Sequence, residues 1–178
     1  PGNDVIDGGE AGADNDVIDL SNLAGPATVN YSGHEGGTIS VASSSLSFGG
    51  VETIILTDSA DAVYGSSGGD TIIGGAGNDT LSMSGGGDSV AAGQGADTIS
   101  GGAGADTLSG DSGDDTLYGG SGGAILSGSA GRDYIFANSG DDTLIGGAGN
   151  DTLDGGTGSD LAYGGSGDDS LVGFAGND

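Results

Sequence analysis

Apolar residues return at every ninth position in the C-terminal two-thirds of the chain. Most follow a Thr or Ser, so polar and apolar side chains alternate as in a short strand with one buried face. The spacing predicts a series of short strands that each place one side chain in the interior. The inward positions are Val63, Ile72, Leu81, Val90, Ile99, Leu108, Leu117, Leu126, Ile135, Leu144, Leu153, Ala162 and Leu171.

A second residue class, aspartate, keeps the same register two residues before each apolar position. From the second register position onward, a Gly lies two residues earlier still, and Gly allows the positive φ of tight loops. One nonapeptide is therefore predicted to be a turn followed by a strand, and two form a coil of 18 residues. The register positions are Asp61, Asp70, Asp79, Asp88, Asp97, Asp106, Asp115, Ala124, Asp133, Asp142, Asp151, Asp160, Asp169 and Asp178.

Stacked coils of this kind would place aspartates 18 residues apart above one another, at the roughly 4.8 Å spacing of hydrogen-bonded strands. One edge would carry the seven positions from Asp61 to Asp169, and the other the seven from Asp70 to Asp178. Carboxylates so close repel one another unless a cation lies between them, and oxygen ligands in a flexible loop favour Ca²⁺. The alternatives are a metal-free acidic solenoid and a disordered Gly/Asp spacer.

The composition supports a need for cations. The formal charge is −26, with 27 acidic residues against the single base Arg132, and 44 residues are Gly. Such a chain is poorly suited to nucleic acid or to anionic membranes, and no apolar run is long enough for a membrane-spanning helix. There is no Cys. Both ends interrupt a repeat, so we expect the sequence to be a piece of a longer protein.

The repeats resemble the RTX (haemolysin-type) calcium-binding nonapeptide G-G-x-G-x-D-x-U-x. The resemblance implies an all-β fold, a right-handed parallel β-roll (a β-solenoid) with Ca²⁺ between coils of 18 residues. For the pair of repeats one coil apart that match the pattern most closely, it implies an ion held by the carbonyls of Gly147, Gly149, Gly164 and Ser166 and by Asp151 and Asp169. The pattern is intact at Gly74–Asp79, Gly101–Asp106, Gly146–Asp151, Gly155–Asp160 and Gly164–Asp169.

Departures from the pattern set expectations for individual sites. Ala124 should leave the sites next to it weak or empty, so that about ten ions are expected in all. The loop just before Asp61, residues 56–60, contains no Gly, and we expect Asp61 to mark the start of calcium binding. The loop before Asp88 lacks its first two glycines. Arg132 is in register with Asp114 and is expected either to bridge to it or to remain solvated.

Residues 1–60 depart further, and residues 61–178 are expected to form the calcium-binding roll. The first sixty residues are predicted to be mostly calcium-free solenoid coils, with an N-terminal β-cap as the alternative. Strand-like runs at 28–32, 38–42, 46–48 and 53–56 are spaced closely enough to continue a solenoid. His34, the only histidine, is expected to be a surface residue.

The sequence favours a binding module over an enzyme, because no catalytic constellation can be assembled from it. We expect a calcium-binding region that folds outside the cell and acts as a structural or adhesive element of a secreted or surface protein. Alternatives are the secretion and folding module of a protease, lipase or polysaccharide epimerase, and an ice- or glycan-binding face formed by ranks of outward Thr. Outward aromatic and apolar residues could support lateral self-association or surface-layer assembly; they are Tyr64, Tyr118, Phe136, Ile145, Tyr163 and Phe174.

Overall fold

The computed structural model describes residues 4–7, 17–31, 36–41, 44–49, 53–173 and 175–176, and these contain strands and no helix. Consequently none of these residues forms a helix that could cross a membrane. The strands are β1 (Asp4–Asp7), β2 (Val17–Asp19), β3 (Ala27–Tyr31), β4 (Gly36–Val41), β5 (Ser44–Gly49), β6 (Thr53–Ile55), β7 (Ala62–Tyr64), β8 (Thr71–Ala76), β9 (Thr80–Ser82), β10 (Ser89–Gln94), β11 (Thr98–Ala103), β12 (Thr107–Ser112), β13 (Thr116–Ser121), β14 (Ile125–Ala130), β15 (Tyr134–Ser139), β16 (Thr143–Ala148), β17 (Thr152–Asp154), β18 (Leu161–Ser166) and β19 (Ser170–Val172).

From β6 onward, successive strands alternate between two sheets, and each pairs in parallel with the strand one coil later. Leu117 of β13 lies opposite Ile135 of β15, and Val90 of β10 lies opposite Leu108 of β12. The predicted period of 18 residues is thus confirmed, and the chain forms a β-solenoid of about 7 turns. A short loop joins each strand to the next, so each coil crosses both sheets before it stacks on its predecessor.

The core is a column of single apolar side chains inside the coils. The predicted inward residues from Val63 to Leu153 are buried. Ala162 is partly buried, and Leu171 is 48% exposed in the last described coil. A second set of buried side chains lies at the first residue of some loops, where most repeats have Gly. These residues, which the apolar period did not identify, are Leu56, Met83, Ala92 and Ala137.

The described N-terminal strands belong to the same two sheets as the later coils. Strand β2 pairs in parallel with β6, and β3 pairs in parallel with β7, so the roll extends back to residue 17. Strands β4 and β5 extend one of the two sheets beyond β3: β3 pairs antiparallel with β4, β4 antiparallel with β5, and β5 parallel with β1. His34 lies outside the described residues.

Candidate metal centre

The register aspartates form two columns of buried carboxylates, which we call the aspartate ladder. Where the described residues include an Asp one coil later, the main-chain N–H donates a hydrogen bond to its Oδ1: Asp97 to Asp115 at 2.8 Å, and Asp115 to Asp133 at 2.9 Å. This bond fixes each carboxylate against the preceding coil. The buried members are Asp61, Asp70, Asp79, Asp88, Asp97, Asp106, Asp115, Asp133, Asp142, Asp151 and Asp160.

The second carboxylate oxygen has no hydrogen-bond partner in most of the ladder. A buried carboxylate without compensation is strongly unfavourable, so each such oxygen calls for a cation or a proton. Among the described residues this holds for Oδ2 of Asp79, Asp88, Asp97, Asp106, Asp115, Asp133, Asp142 and Asp151.

Backbone carbonyls surround these oxygens because the first loop residue is usually Gly. A Cβ added to Gly146 would lie 2.5 Å from both Asp151 Oδ2 and Gly164 O, one coil later, so both oxygens border one small space. A Cβ at Gly165 or Gly167 would overlap the carbonyl oxygens of Gly147 and Gly149, which therefore point toward the following coil.

This donor set fits calcium. All the groups are oxygens, which hard cations prefer, and the loops can adapt to the irregular shell of Ca²⁺. The Ser166 carbonyl also accepts the N–H of Gly149 at 2.9 Å and keeps a second lone pair. Within the described part of the chain, no three acidic or histidine side chains converge as a metal cluster. A cation in the ladder would therefore combine carboxylates with main-chain carbonyls.

Burial raises the pKa of several ladder carboxyls. The pKa of Asp79 rises to about 7, and those of Asp88 and Asp115 to about 6. Loss of solvation is the largest cause, and the carboxylates one coil away add to it, whereas the hydrogen bond to Oδ1 opposes it. The pKa is raised in the same direction at Asp70, Asp97, Asp133 and Asp142.

These shifts predict that protons partly substitute for calcium. Between about pH 4 and about pH 7, the folded chain retains protons that the unfolded chain has released, so stability without calcium falls as the pH rises. In calcium-stripped buffer, circular dichroism should therefore show more strand at about pH 4 than at about pH 8. Asp79→Asn should weaken this dependence more than Asp114→Asn, whose side chain is exposed. Equal strand content at both pH values would contradict the prediction.

The departures from the repeat also have structural counterparts. Ala124 is buried and its N–H donates to Asp142 Oδ1 at 2.7 Å, so the coil keeps its stacking but lacks a carboxylate. Arg132 bridges to Asp114 at 3.2 Å on the surface, one of the two predicted outcomes. Asp169 Oδ1 accepts the N–H of Asp151 at 3.0 Å, whereas Asp178 lies outside the described residues.

Asp61 and Asp70 differ from the later members of the ladder. Their Oδ2 atoms accept hydrogen bonds from Thr57 and Ser66, respectively. Sequence reasoning counted both aspartates as calcium ligands and missed Thr57 and Ser66. A hydroxyl residue at the second loop position, which is Gly in the intact repeats, was only a partial signal, because Ser84 and Ser129 share that position and bond elsewhere.

Comparison with known proteins agrees with this geometry. The family model for the RTX calcium-binding nonapeptide repeat matches residues 47–81, 55–90, 82–117, 91–126, 118–153 and 154–178. A search of curated proteins found none that matches the chain. The matched family is a structural calcium-binding fold, and the lack of enzymatic activity stays a prediction. Because the matches extend over residues 47–178, well over half of the chain, the protein belongs to the family of RTX calcium-binding nonapeptide repeat proteins.

Proposed function

We propose that the aspartate ladder binds calcium ions between successive coils and that this binding drives folding of the roll. The observation that carries the proposal is the row of eight buried Oδ2 atoms without a hydrogen-bond partner. With a formal charge of −26, the chain has few cations of its own to compensate them. Binding is therefore coupled to folding, because the paired carboxylates come together only in the coil.

The ligands of each ion would be two aspartates one coil apart together with loop carbonyls. On one edge the pairs run from Asp79 to Asp169, and on the other they comprise Asp88 with Asp106, Asp142 with Asp160, and Asp160 with Asp178. These pairs would bind about eight ions, whereas the repeat count alone predicts about ten. In the clearest site, the carbonyls of Gly147, Gly149, Gly164 and Ser166 would complete the shell around Asp151 and Asp169.

Calcium-dependent folding suits a module that works outside the cell. Extracellular calcium modules have dissociation constants on the order of 10⁻⁴–10⁻³ M, so calcium-poor cytosol would leave the ladder unfolded. Stacked coils stabilise only their neighbours, which makes folding cooperative along the roll. The proposed role is a rigid structural or adhesive element of a secreted or surface protein. The roll of residues 61–178 would carry the calcium from Asp79 onward, and residues 1–60 would remain mostly calcium-free.

Counting the bound ions tests the proposed ligands. Ala124→Asp restores the missing carboxylate opposite Asp106 and Asp142, so it should add up to two ions to the wild-type number. Equilibrium dialysis with calcium analysis, on protein that is folded by circular dichroism, gives the count. Ala124→Asn is the matched control, because it adds similar volume without a charge and should add no ion.

Two results would contradict the assignment of sites. Wild-type protein that binds no calcium would remove the proposed function altogether. An Ala124→Asp variant that folds normally but binds no additional calcium would show that pairs of ladder carboxylates do not define the sites.

A further inference from the structure

The first carboxylate of the ladder is already fully hydrogen-bonded without a metal. Asp61 Oδ2 accepts the N–H of Thr57 at 2.8 Å and its hydroxyl at 2.9 Å. Asp61 Oδ1 accepts the same hydroxyl at 3.0 Å and the N–H of Ala27 at 2.5 Å. Three donor groups therefore surround a carboxylate that is 3% exposed, and the Thr57 hydroxyl is shared between its two oxygens.

The first carboxylate of the other edge is held in the same way. Asp70 Oδ2 accepts the N–H of Ser66 at 2.9 Å and its hydroxyl at 3.3 Å, and the hydroxyl lies 3.1 Å from Oδ1. The Ser66 hydroxyl also accepts the N–H of Gly68 at 3.0 Å, which closes the loop on itself. Ser and Thr hydroxyls in turns commonly form such hydrogen bonds with nearby backbone groups.

These two loops also differ from most later ones in backbone conformation. The second loop residue has positive φ in ten later loops, whereas Thr57, Ser66 and Ser84 do not. The Ser84 hydroxyl donates to the Gly65 carbonyl at 3.1 Å and not to a ladder carboxylate. The residue type alone does not explain the difference, because Ser129 occupies the same loop position at φ 76°. Its hydroxyl contacts Ser127 at 3.1 Å instead of the ladder carboxylate. The ten positive-φ positions are Gly75, Gly93, Gly102, Asp111, Gly120, Ser129, Asn138, Gly147, Gly156 and Gly165.

We propose that Asp61 and Asp70 are not calcium ligands, and that Thr57 and Ser66 close the N-terminal end of the ladder with hydroxyl and amide donors in place of metal. The main-chain N–H groups of Asp61 and Asp70 donate to Oδ1 of Asp79 and Asp88 at 2.8 Å each. The hydroxyl-closed loops thus orient the first two calcium-binding carboxylates and act as a metal-independent template for the coils that follow. This inference rests on the proposed function, in which the later ladder binds calcium.

Ion counting on matched double variants tests the inference. Asp61→Asn with Asp70→Asn should bind as many calcium ions as the wild type. Asp97→Asn with Asp106→Asn changes the same charge within the ladder and should lose about three ions, because it disrupts three proposed pairs. A loss of one or more ions from the first double variant, with wild-type circular dichroism at saturating calcium, would overturn the inference. An unchanged count in the second would instead overturn the proposed function.

A second variant keeps the inference testable if the first double variant does not fold. Thr57→Val with Ser66→Ala removes both hydroxyls and leaves every carboxylate in place. Loss of the template should raise the calcium concentration at the folding midpoint several-fold, with no additional ion bound. If the two aspartates were calcium ligands, the hydroxyls would compete with the metal, and removal would lower the midpoint or add ions. A lower or unchanged midpoint, or a higher ion count, would overturn the inference.

Discussion

Replacement of Asp115 by Asn is expected to disable two neighbouring calcium sites at once. Asp115 is fully buried and stands between Asp97 and Asp133 on the continuous edge of the ladder. An Asn side chain can still accept the N–H of Asp97 through its amide oxygen, but it places an amide group where Oδ2 is required for a cation. Loss of a direct ligand should weaken affinity at both sites by at least the 10- to 100-fold range typical of supporting residues.

Calorimetric titration with calcium measures this effect, and the adjacent Asp114 provides the control. Asp114→Asn removes the same charge from a side chain that is 55% exposed and that binds the guanidinium and the main-chain N–H of Arg132. Exposed ion pairs of this kind contribute about 0–1 kcal/mol, so the control should bind calcium almost as the wild type does. If Asp114→Asn and Asp115→Asn bound equal numbers of ions, the ladder would not be the binding site.

Gly104→Ala is expected to destabilise the calcium-loaded roll by more than about 4 kcal/mol, the range of exceptional single substitutions. Gly104 has φ 144°, and a Cβ there would overlap the carbonyl oxygen of Gly86 in the preceding coil. The substitution combines backbone strain with a collision between stacked backbones, so the two coils must separate locally. Denaturant unfolding at saturating calcium measures the loss.

Two other glycines separate the causes of this loss. Gly25 has φ 93° and nothing within 4 Å of an added Cβ, so Gly25→Ala reports backbone strain alone, about 1–2 kcal/mol. Gly87 lacks positive φ, and its Cβ would lie 3.2 Å from Ala105 O, so Gly87→Ala reports a modest steric cost. Equal losses for Gly87→Ala and Gly104→Ala would contradict the close stacking of coils at the loop glycines.

The coil architecture was predictable because one register governs three residue classes. Leu117 and Ile135 had to face the interior at the same height once Asp115 and Asp133 were aligned, and the strand pairing has this register. Repetition averages out the local ambiguity that limits the interpretation of a single short strand. The same argument predicted the two columns of aspartates and the break at Ala124.

The features that sequence reasoning missed depend on single loops that have no repeat to support them. Strand-like spacing between Thr28 and Ile55 suited continued coils as well as a cap, and only tertiary pairing shows that β4 and β5 run antiparallel. Thr57 and Ser66 occupy ordinary loop positions, and residue type does not fix their bonds to the ladder, because Ser84 and Ser129 at the same position bond elsewhere. Met83 and Ala92 are buried because the first residue of their loops points inward. Most repeats have Gly at this position, so the repeat pattern does not show that a side chain there would be buried.

Far-UV circular dichroism during calcium titration of the wild-type chain tests the central claim most directly. The chain should lack strand signal in excess chelator at neutral pH, and should gain it cooperatively as calcium rises toward the millimolar concentrations at which extracellular modules bind. Magnesium at the same concentration should not substitute, because it demands a smaller and more regular shell. Complete strand signal in excess chelator would contradict calcium-driven folding.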